Sequence, residues 1–418
     1  MESGCMRNKF FYFFIIVLSL LCMVGGQMLF PGRVQGEPGE TEAAPGAENA
    51  DAADTVDTVR IAAPHGVLIE AATGKVVYEK DKDVEVSPAS ITKIMTLILI
   101  FDALEEGKLS MEDEVTTSAY AKSMGGSQVF LEEGERQTVE TMIKCIVIAS
   151  GNDASVAMAE HIGGSEEAFV AMMNERAEGL GMEHTHFVDC CGLTESKDHY
   201  SSAYDVALMS RELVTKYPKI LDYSSIWMDT ITHVTSRGSS EFGLTNTNKL
   251  IRGYEGCVGL KTGSTSIAKY CVSTVAVRGG ITLISVVMTA PDYKVRFRDA
   301  AAMLDYGFAR CTMFVDEHTE RLKEIPVKKT VRGSVSCNFS GPFYYLDTEG
   351  RSMDNMEKEI HMKKSLTAPV KAGDEAGEAV YMLDGQEVGR MKVVAAEDVP
   401  ASGYLDYLIY ICMQMVVT

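Results

Sequence analysis

A serine and a lysine stand three positions apart at the start of a strongly apolar stretch. Ser90 and Lys93 lie in the segment SPASITKIMT, which continues into LILIFDAL. On a helix, residues i and i+3 point from one face, and Pro88 favours a helix that begins there. A serine hydroxyl needs an adjacent base, and a lysine can be that base only if burial or a nearby cation lowers its pKa. The pair is therefore a candidate nucleophile and base.

A serine and an asparagine two positions apart form the second group. Ser150 and Asn152 follow the apolar run IKCIVIA and open a predicted helix, so that a hydroxyl and an amide can line a cleft. The same Ser-x-Asn pattern occurs at Ser336 and Asn338. The Ser-x-Asn pattern by itself therefore does not identify a functional site.

A third group, Lys261, Thr262 and Gly263, occurs once in the chain, beside a predicted strand. A lysine and a threonine hydroxyl can hold a carboxylate, and a glycine lets a substrate approach the backbone closely. Lys261 is also a candidate for the second cation that keeps Lys93 uncharged.

The order of the three groups carries more information than any one of them. Each alone is also typical of a helix cap, a loop or a strand start, and Ser-x-x-Lys recurs at Ser266 and Lys269. Ser-x-x-Lys, then Ser-x-Asn, then Lys-Thr-Gly is the ordered set of penicillin-recognising serine acyltransferases. The repeated patterns have no ordered companions, so Ser90 is the predicted nucleophile.

Apolar patterning predicts the elements that position these groups. HGVLIEAATGKVVYEKD has two apolar runs around a turn and predicts a hairpin, and YCVSTVAV with ITLISVVMTA predicts a second strand pair. Helices are predicted at residues 138–149, 154–161, 166–179, 202–215 and 298–308. Short strands follow, with a hairpin signal at Asp384-Gly385.

Longer segments carry a family resemblance: PASITKIMT, GSQVFLEEGE, SGNDASVAMAE, HYSSAYDVA, TNTNKLIRGYEGCVGLKTGST and LDYGF. Together they resemble the serine-type D-alanyl-D-alanine carboxypeptidases, the low-molecular-mass penicillin-binding proteins. The resemblance implies an α/β (α+β) serine acyltransferase domain of the β-lactamase-like type at residues 59–312. It also implies a small all-β domain at residues 315–398 and an amphipathic membrane anchor at residues 400–418.

The resemblance assigns chemical roles to the first two groups. Ser90 is implied to be the acylated nucleophile and Lys93 its base. Ser150 and Asn152 are implied to relay a proton and to hold the substrate amide.

Substrate binding is implied for a further set of residues. Lys261 and Thr262 are expected to hold the terminal carboxylate, and the backbone N–H groups of Ser90 and Ser264 to form the oxyanion hole. Arg296 resembles the arginine that the family uses near that carboxylate.

Two positions depart from the family pattern. VDCCGL, at residues 188–193, replaces a form that contains Asn-Pro, and Lys269 stands where a glycine is usual. We expect neither to contact the catalytic groups, although Lys269 can alter the mouth of the cleft.

The implied reaction is removal of the terminal D-alanine from peptidoglycan stem peptides that end in D-Ala-D-Ala, through a Ser90 acyl-enzyme that β-lactams can trap. An endopeptidase that cuts wall crosslinks would use the same site. A β-lactamase needs a Glu-x-x-Leu-Asn segment, and EFGLTN, which begins at Glu241, misses that pattern by one position. A penicillin-binding sensor without turnover is the alternative from another class.

Composition limits the partners of the chain. It has 39 basic and 59 acidic residues, a balance that argues against nucleic acid as a ligand. Cysteine and histidine residues are not grouped with structural-zinc spacing, and His-Glu-x-x-His does not occur. We expect no metal and no cofactor.

The first residues are typical of an exported protein. Arg7 and Lys9 precede the apolar residues 10–24, which predicts a signal peptide at residues 1–30, with an uncleaved anchor as the alternative. Residues 31–58 are predicted to be a disordered acidic linker, because residues 34–58 contain seven acids and no lysine or arginine. The predicted location is the outer face of the cytoplasmic membrane or the cell wall.

Two further expectations concern the cysteines and the tail. Single cysteines inside apolar runs, such as Cys145, Cys257 and Cys271, predict small buried hydrophobes more than a disulfide framework. In the tail, GYLDYLIYICMQMVV carries one charge, Asp406, and is too short to span a bilayer. It can lie in the membrane interface or pack on its own domain.

Overall fold

A computed structural model describes residues 59–236 and 238–417. The predicted signal peptide and nearly all of the predicted linker lie outside the described residues. The chain forms an α/β part that is followed by a smaller all-β part, as predicted.

The strands of the α/β part are β1 (His65–Glu70), β2 (Val76–Lys80), β3 (Glu114–Thr116), β4 (Arg136–Thr138), β5 (Met228–Thr235), β6 (Gly238–Thr245), β7 (Cys257–Thr265), β8 (Lys269–Arg278) and β9 (Ile281–Ala290). Its helices are α1 (Lys93–Glu105), α2 (Ala119–Lys122), α3 (Val139–Val147), α4 (Asn152–Gly163), α5 (Glu166–Gly179), α6 (Ala203–Lys216), α7 (Ile220–Ser224), α8 (Leu250–Gly253) and α9 (Tyr293–Arg310). A 3₁₀ turn, Ala89–Thr92, precedes α1.

An antiparallel five-stranded sheet in the order β2-β1-β9-β8-β7 organises this part. Alternate side chains of a strand point to opposite faces. Val67 and Ile69 of β1 therefore join the core formed with α1 and α3–α6, whereas Leu68 packs in the core beneath α9. The sheet is covered on both faces, and β7 lies at its edge, next to the 3₁₀ turn.

Side-chain caps determine where several helices begin. Ser202, Ser165 and Thr138 each accept a hydrogen bond from a backbone N–H of the following turn, which satisfies a donor that the helix leaves free. The helix predicted at 298–308 begins earlier, at Tyr293, because Asp292 accepts hydrogen bonds from the N–H groups of Lys294 and Val295. This extra turn includes Arg296.

The all-β part contains β10 (Thr312–Asp316), β11 (Ile325–Lys328), β12 (Ser334–Val335), β13 (Cys337–Phe339), β14 (Phe343–Asp347), β15 (Met356–Met362), β16 (Leu366–Thr367), β17 (Glu375–Leu383) and β18 (Gln386–Ala395). Its largest sheet has the order β13-β18-β17-β15. Asp384 and Gly385 turn between β17 and β18 with positive φ angles, as a type I′ hairpin requires. Both the hairpin prediction and the fold class are confirmed.

The described cysteines are free. Seven of them are buried, and Cys412 is exposed. The prediction that the chain uses cysteine as a small buried hydrophobe is confirmed for the buried seven.

The tail forms α10 (Tyr404–Val417), whose described side chains are exposed to solvent. Tyr404 is 83% exposed, Leu405 68% and Met415 74%. Packing of these side chains on the all-β part, one of the two expectations for this segment, is therefore not observed. Within the described residues, the helices are all too short or too polar to cross a membrane.

Candidate active site

The 3₁₀ turn that carries Ser90 is held from behind by His199. Val188 N–H donates to His199 Nδ1 at 3.0 Å, so the ring proton is on Nε2, which donates to Thr92 Oγ1 at 2.8 Å. The threonine hydroxyl donates in turn to the carbonyl of Ala89, at 2.8 Å. Ala89 has a φ of +48°, a strained conformation for a residue with a side chain. This chain of hydrogen bonds fixes the turn and leaves Ser90 partly exposed.

Lys93 is fully buried behind the serine. Its Nζ lies 3.0 Å from Ser90 Oγ, 2.6 Å from Asn152 Oδ1 and 2.7 Å from the carbonyl oxygen of Cys191. An uncharged amine has two N–H groups and one lone pair. Because the two carbonyl oxygens can only accept, they take both N–H groups, and the lone pair is left for the Ser90 hydroxyl. Burial lowers the pKa of Lys93, which favours this uncharged form.

The start of α4 orients Asn152. Its Nδ2 donates to the carbonyl of Gly125 at 2.7 Å, and its backbone N–H donates to the carbonyl of Ser127 at the same distance. These bonds turn Oδ1 towards Lys93. Ser150, two residues earlier, has a φ of +62° and is almost fully buried.

Edge strand β7 carries Lys261 and Thr262 on the other side of the site from Lys93. Lys261 Nζ donates to Ser150 Oγ at 2.8 Å and to the carbonyl of Thr262 at 2.9 Å. Burial lowers the pKa of Lys261 well below its ordinary value, and repulsion from the protonated forms of Lys93 and Arg296 lowers it further. The two lysines are therefore close enough to interact, but burial rather than Lys261 is the main cause that lowers the pKa of Lys93. Thr262 Oγ1 donates to Thr247 Oγ1 at 2.7 Å.

The structure shows why position 263 requires glycine, and the sequence did not suggest this reason. A Cβ at this position would lie 2.8 Å from the carbonyl oxygen of Pro88 and 3.0 Å from the backbone nitrogens of Ser90 and Ile91. Only glycine lets β7 pass this close to the 3₁₀ turn that carries Ser90. Ser264, the next residue, is exposed.

Arg296 lies beneath the same strand and is 9% exposed. Its Nη1 donates to the carbonyls of Gly263, at 3.1 Å, and Cys271, at 3.3 Å, while its buried Nε has no hydrogen-bond partner among the described residues. Within residues 59–236 and 238–417, neither Arg296 nor Lys261 forms an ion pair with a carboxylate. Two buried basic groups without a carboxylate partner create a site that favours a negatively charged group.

The expectation that VDCCGL does not touch the catalytic groups is wrong. The carbonyl of Cys191 accepts a hydrogen bond from Lys93, and the carbonyl of Cys190 accepts one from Thr96 Oγ1 at 2.5 Å. Asp189 accepts from the N–H groups of Cys191 and Thr194 and so shapes the loop. Because these contacts use backbone carbonyls, the residue types alone did not reveal them.

Gly192 allows this loop to pack against the 3₁₀ turn that carries Ser90. Its φ is +73°, and a Cβ there would lie 1.8 Å from the carbonyl oxygen of Ala89. We expect Gly192→Ala to lower the free energy of unfolding by about 3 kcal/mol, from overpacking and left-handed strain together. Thermal unfolding would measure the change.

Gly181→Ala is the matched control for this substitution. Gly181 has a φ of +71°, but a Cβ there would have no neighbour within 4 Å. The loss in free energy of unfolding of Gly181→Ala should therefore report the cost of the backbone conformation alone. Equal losses in the two variants would contradict the proposed clash with Ala89.

Other predicted features lie outside the catalytic group. Ser266 of the second Ser-x-x-Lys pattern donates to Glu195 Oε1 at 3.0 Å, and Ser336 lies in the all-β part. Lys269 has a φ of +57°, which explains why glycine suits this position. Sequence reasoning missed His199, although it lies in the quoted segment HYSSAYDVA.

One acidic cluster has the residue types of a metal site. Ligand atoms of Asp316, His318 and Glu320 lie within 4.8 Å of one another. The ammonium of Lys358 donates to Asp316 Oδ2 at 2.7 Å and also to Glu320. The lysine thus supplies the positive charge that a metal ion would bring.

The chain matches known proteins over most of its length. A family model described as D-alanyl-D-alanine carboxypeptidase matches residues 50–292, and one described as penicillin-binding protein 5, C-terminal domain, matches residues 314–401. The carboxypeptidase DacF of Bacillus subtilis (strain 168) is 44% identical over 83% of this chain and 88% of its own. DacA of Escherichia coli (strain K12) is 31% identical over 84% of this chain and 87% of its own.

Solved structures agree with the family match. The structure of penicillin binding protein 5 from Haemophilus influenzae has a TM-score of 0.69 at 29% identity, covering 82% of this chain and 99% of that one. The family and the two-part fold predicted from the sequence are confirmed. The chain therefore belongs to the D-alanyl-D-alanine carboxypeptidase family of serine peptidases.

Proposed function

We propose that the protein is a D-alanyl-D-alanine carboxypeptidase that releases the last D-alanine of peptidoglycan stem peptides. The observation that carries this proposal is a serine–lysine pair, 3.0 Å apart, near two buried basic side chains, Lys261 and Arg296, that form no ion pair with a carboxylate among the described residues. The pair supplies a nucleophile, and the two basic side chains supply a site for the peptide's terminal carboxylate. The family membership of the chain agrees with this activity.

The first step acylates Ser90. Lys93 takes the hydroxyl proton as Ser90 Oγ attacks the carbonyl between the two D-alanines. The negative charge on the carbonyl oxygen is held by the backbone N–H groups of Ser90 and Ser264. Ser150 then passes a proton to the leaving amino group, and Asn152 holds the substrate amide.

Binding of the substrate affects the charge state of Lys261. The terminal carboxylate lies against Lys261, Thr262 and Arg296, and a negative charge raises the pKa of an adjacent lysine. The carboxylate therefore favours the protonated form of Lys261 and opposes the burial that lowers its pKa in the free protein. Water then hydrolyses the ester on Ser90, and a β-lactam, which mimics the D-alanyl ending, leaves a slowly hydrolysed ester.

Three substrates test the proposal against its alternatives. The purified protein is incubated with a pentapeptide ending in D-Ala-D-Ala, with a crosslinked muropeptide dimer and with benzylpenicillin. We expect free D-alanine from the pentapeptide. Faster cleavage of the dimer would favour an endopeptidase, and rapid penicillin turnover without D-alanine release would indicate a β-lactamase instead.

We also propose that the protein works outside the cytoplasm, with α10 in the membrane interface. The predicted signal peptide supports export, and the exposed apolar side chains of α10 support membrane contact, because exposed apolar surface on this scale is unfavourable in water.

Removal of residues 402–418 is expected to move the protein from the membrane fraction to the supernatant. The deletion removes the apolar side chains that would enter the interface. Cell fractionation with penicillin labelling measures the change, and retained labelling shows that the remaining protein is folded. Unchanged fractionation after signal cleavage would contradict the anchor.

A further inference from the structure

A cavity of about 410 Å³ lies next to the nucleophile's turn, beyond Gly263 along β7. The carbonyl of Pro88 lies beside Gly263, and the preceding residue, Ser87, lines the cavity. Ile267, in the turn that follows β7, lines the other side. The cavity is therefore reached by following β7 from Lys261 past Ser264.

The direction of the bound peptide places this cavity on the acyl side. If the terminal carboxylate lies at Lys261 and Thr262, the scissile carbonyl lies opposite Ser90. The peptide preceding that carbonyl must then continue past Ser264 towards Ile267. The first side chain larger than a methyl group in that direction belongs to the residue that precedes D-Ala-D-Ala.

The rim of the cavity carries charges of both signs. Glu195 is exposed, and its Oε1 accepts from Ser266 at 3.0 Å, while its Oε2 makes no hydrogen bond with the described residues. Lys197, also exposed, makes no hydrogen bond or ion pair within the described part of the chain. Glu85 lines the cavity too, but it lies 3.6 Å from His184 Nδ1.

Part of the wall between these charges is apolar, because Val86, Ile267 and Tyr200 line the cavity. An aliphatic chain that ends in both an ammonium and a carboxylate matches such a lining, because its carbon atoms contact the walls while its two charged groups reach opposite charges at the rim.

We propose that this cavity binds the side chain of the residue before D-Ala-D-Ala, and that this residue is a diamino dicarboxylic acid. Its distal ammonium pairs with Glu195 and its distal carboxylate with Lys197. The inference rests on the proposed function and adds the identity of the preferred stem peptide. A lysine side chain would use Glu195 alone and leave Lys197 unpaired.

Three pentapeptides that differ only in the third residue test the proposal on the full-length protein in detergent. They carry meso-diaminopimelate, lysine, which lacks the distal carboxylate, and norleucine, which lacks both charged groups. We expect kcat/KM for D-alanine release to fall by about fivefold when the distal carboxylate is missing, and by about fivefold again when the distal ammonium is missing too. This is the size typical of a solvent-exposed charge pair.

Two substitutions assign each ratio to one side chain. In Lys197→Gln the diaminopimelate-to-lysine ratio should fall to about one, and in Glu195→Gln the lysine-to-norleucine ratio should do so, because each removes one charge partner. Glu112→Gln and Lys323→Gln, which change exposed residues outside the cavity lining, are the matched controls. They should leave both ratios as in the unaltered protein.

The outcomes separate this inference from the proposed function. Equal kcat/KM for the three peptides, a preference for lysine, or ratios that persist in both variants would overturn the cavity assignment while leaving the carboxypeptidase activity intact. Failure to release D-alanine from any peptide would overturn the proposed function itself. Benzylpenicillin acylation of each variant, measured in parallel, confirms that the site is assembled.

Discussion

Ser90→Ala should abolish both D-alanine release and covalent labelling by benzylpenicillin. We expect a loss of at least about 10⁴-fold in kcat/KM, because the substitution removes the hydroxyl that forms the proposed ester intermediate. Alanine fits the 3₁₀ turn, and Ser90 is partly exposed, so the melting temperature should change little. Mass spectrometry of the penicillin adduct and a D-alanine assay measure the two losses.

Ser266→Ala is the matched control for covalent labelling by benzylpenicillin. It removes the serine of the second Ser-x-x-Lys pattern, whose hydroxyl contacts Glu195 rather than a lysine amine. This variant should still acquire one penicillin adduct per chain. A persistent adduct in Ser90→Ala, or its loss in Ser266→Ala, would identify a different nucleophile.

Lys93→Met is expected to slow acylation by about 10²- to 10⁴-fold, the range typical of a lost general base. Methionine keeps an unbranched chain in the buried site but has no amine to accept the Ser90 proton. The carbonyl oxygens of Asn152 and Cys191 also lose their donor, which should reduce the stability of the fold by about 1–3 kcal/mol. Stopped-flow acylation by a chromogenic β-lactam measures the rate, and thermal unfolding measures the stability.

The pH dependence distinguishes a base from a structural lysine. The folded-state pKa of Lys93 is lowered by burial, so the uncharged, reactive form grows as the pH rises through that lowered value. Acylation by the unaltered protein should therefore increase with pH below that point, and Lys93→Met should lose the increase. An unchanged pH profile in the variant would rule out Lys93 as the base.

Lys80→Met provides a matched control for stability. Lys80 Nζ also donates to two backbone carbonyls, those of Ile61 at 3.1 Å and Ala63 at 2.8 Å. Its removal should lower the melting temperature without slowing acylation. A comparable loss of rate in this variant would mean that general destabilisation explains the Lys93 result.

The local elements of this protein could be predicted because short-range chemistry determines them. Asp384 and Gly385 adopt the positive φ angles of a tight hairpin wherever they occur between strands, and Ser202 caps the helix that follows it in sequence. The spacing of Ser90 and Lys93 by itself did not identify the nucleophile, because Ser266 and Lys269 have the same spacing. The order of Ser90, Asn152 and Lys261 along the chain, together with a family resemblance, was needed.

The amino-acid sequence by itself thus determined several of the elements, the family and the candidate groups for the chemistry. Only the tertiary structure decided which of those groups contact one another. Lys93 meets Asn152 across 59 positions and the Cys191 carbonyl across 98, and Lys261 meets Ser150 across 111. Backbone carbonyls look alike in every residue, and whether a buried cation finds an anion depends on all the elements packed around it. The lowered pKa of Lys93, and the lack of a carboxylate partner for Arg296 among the described residues, are therefore properties of the packed fold.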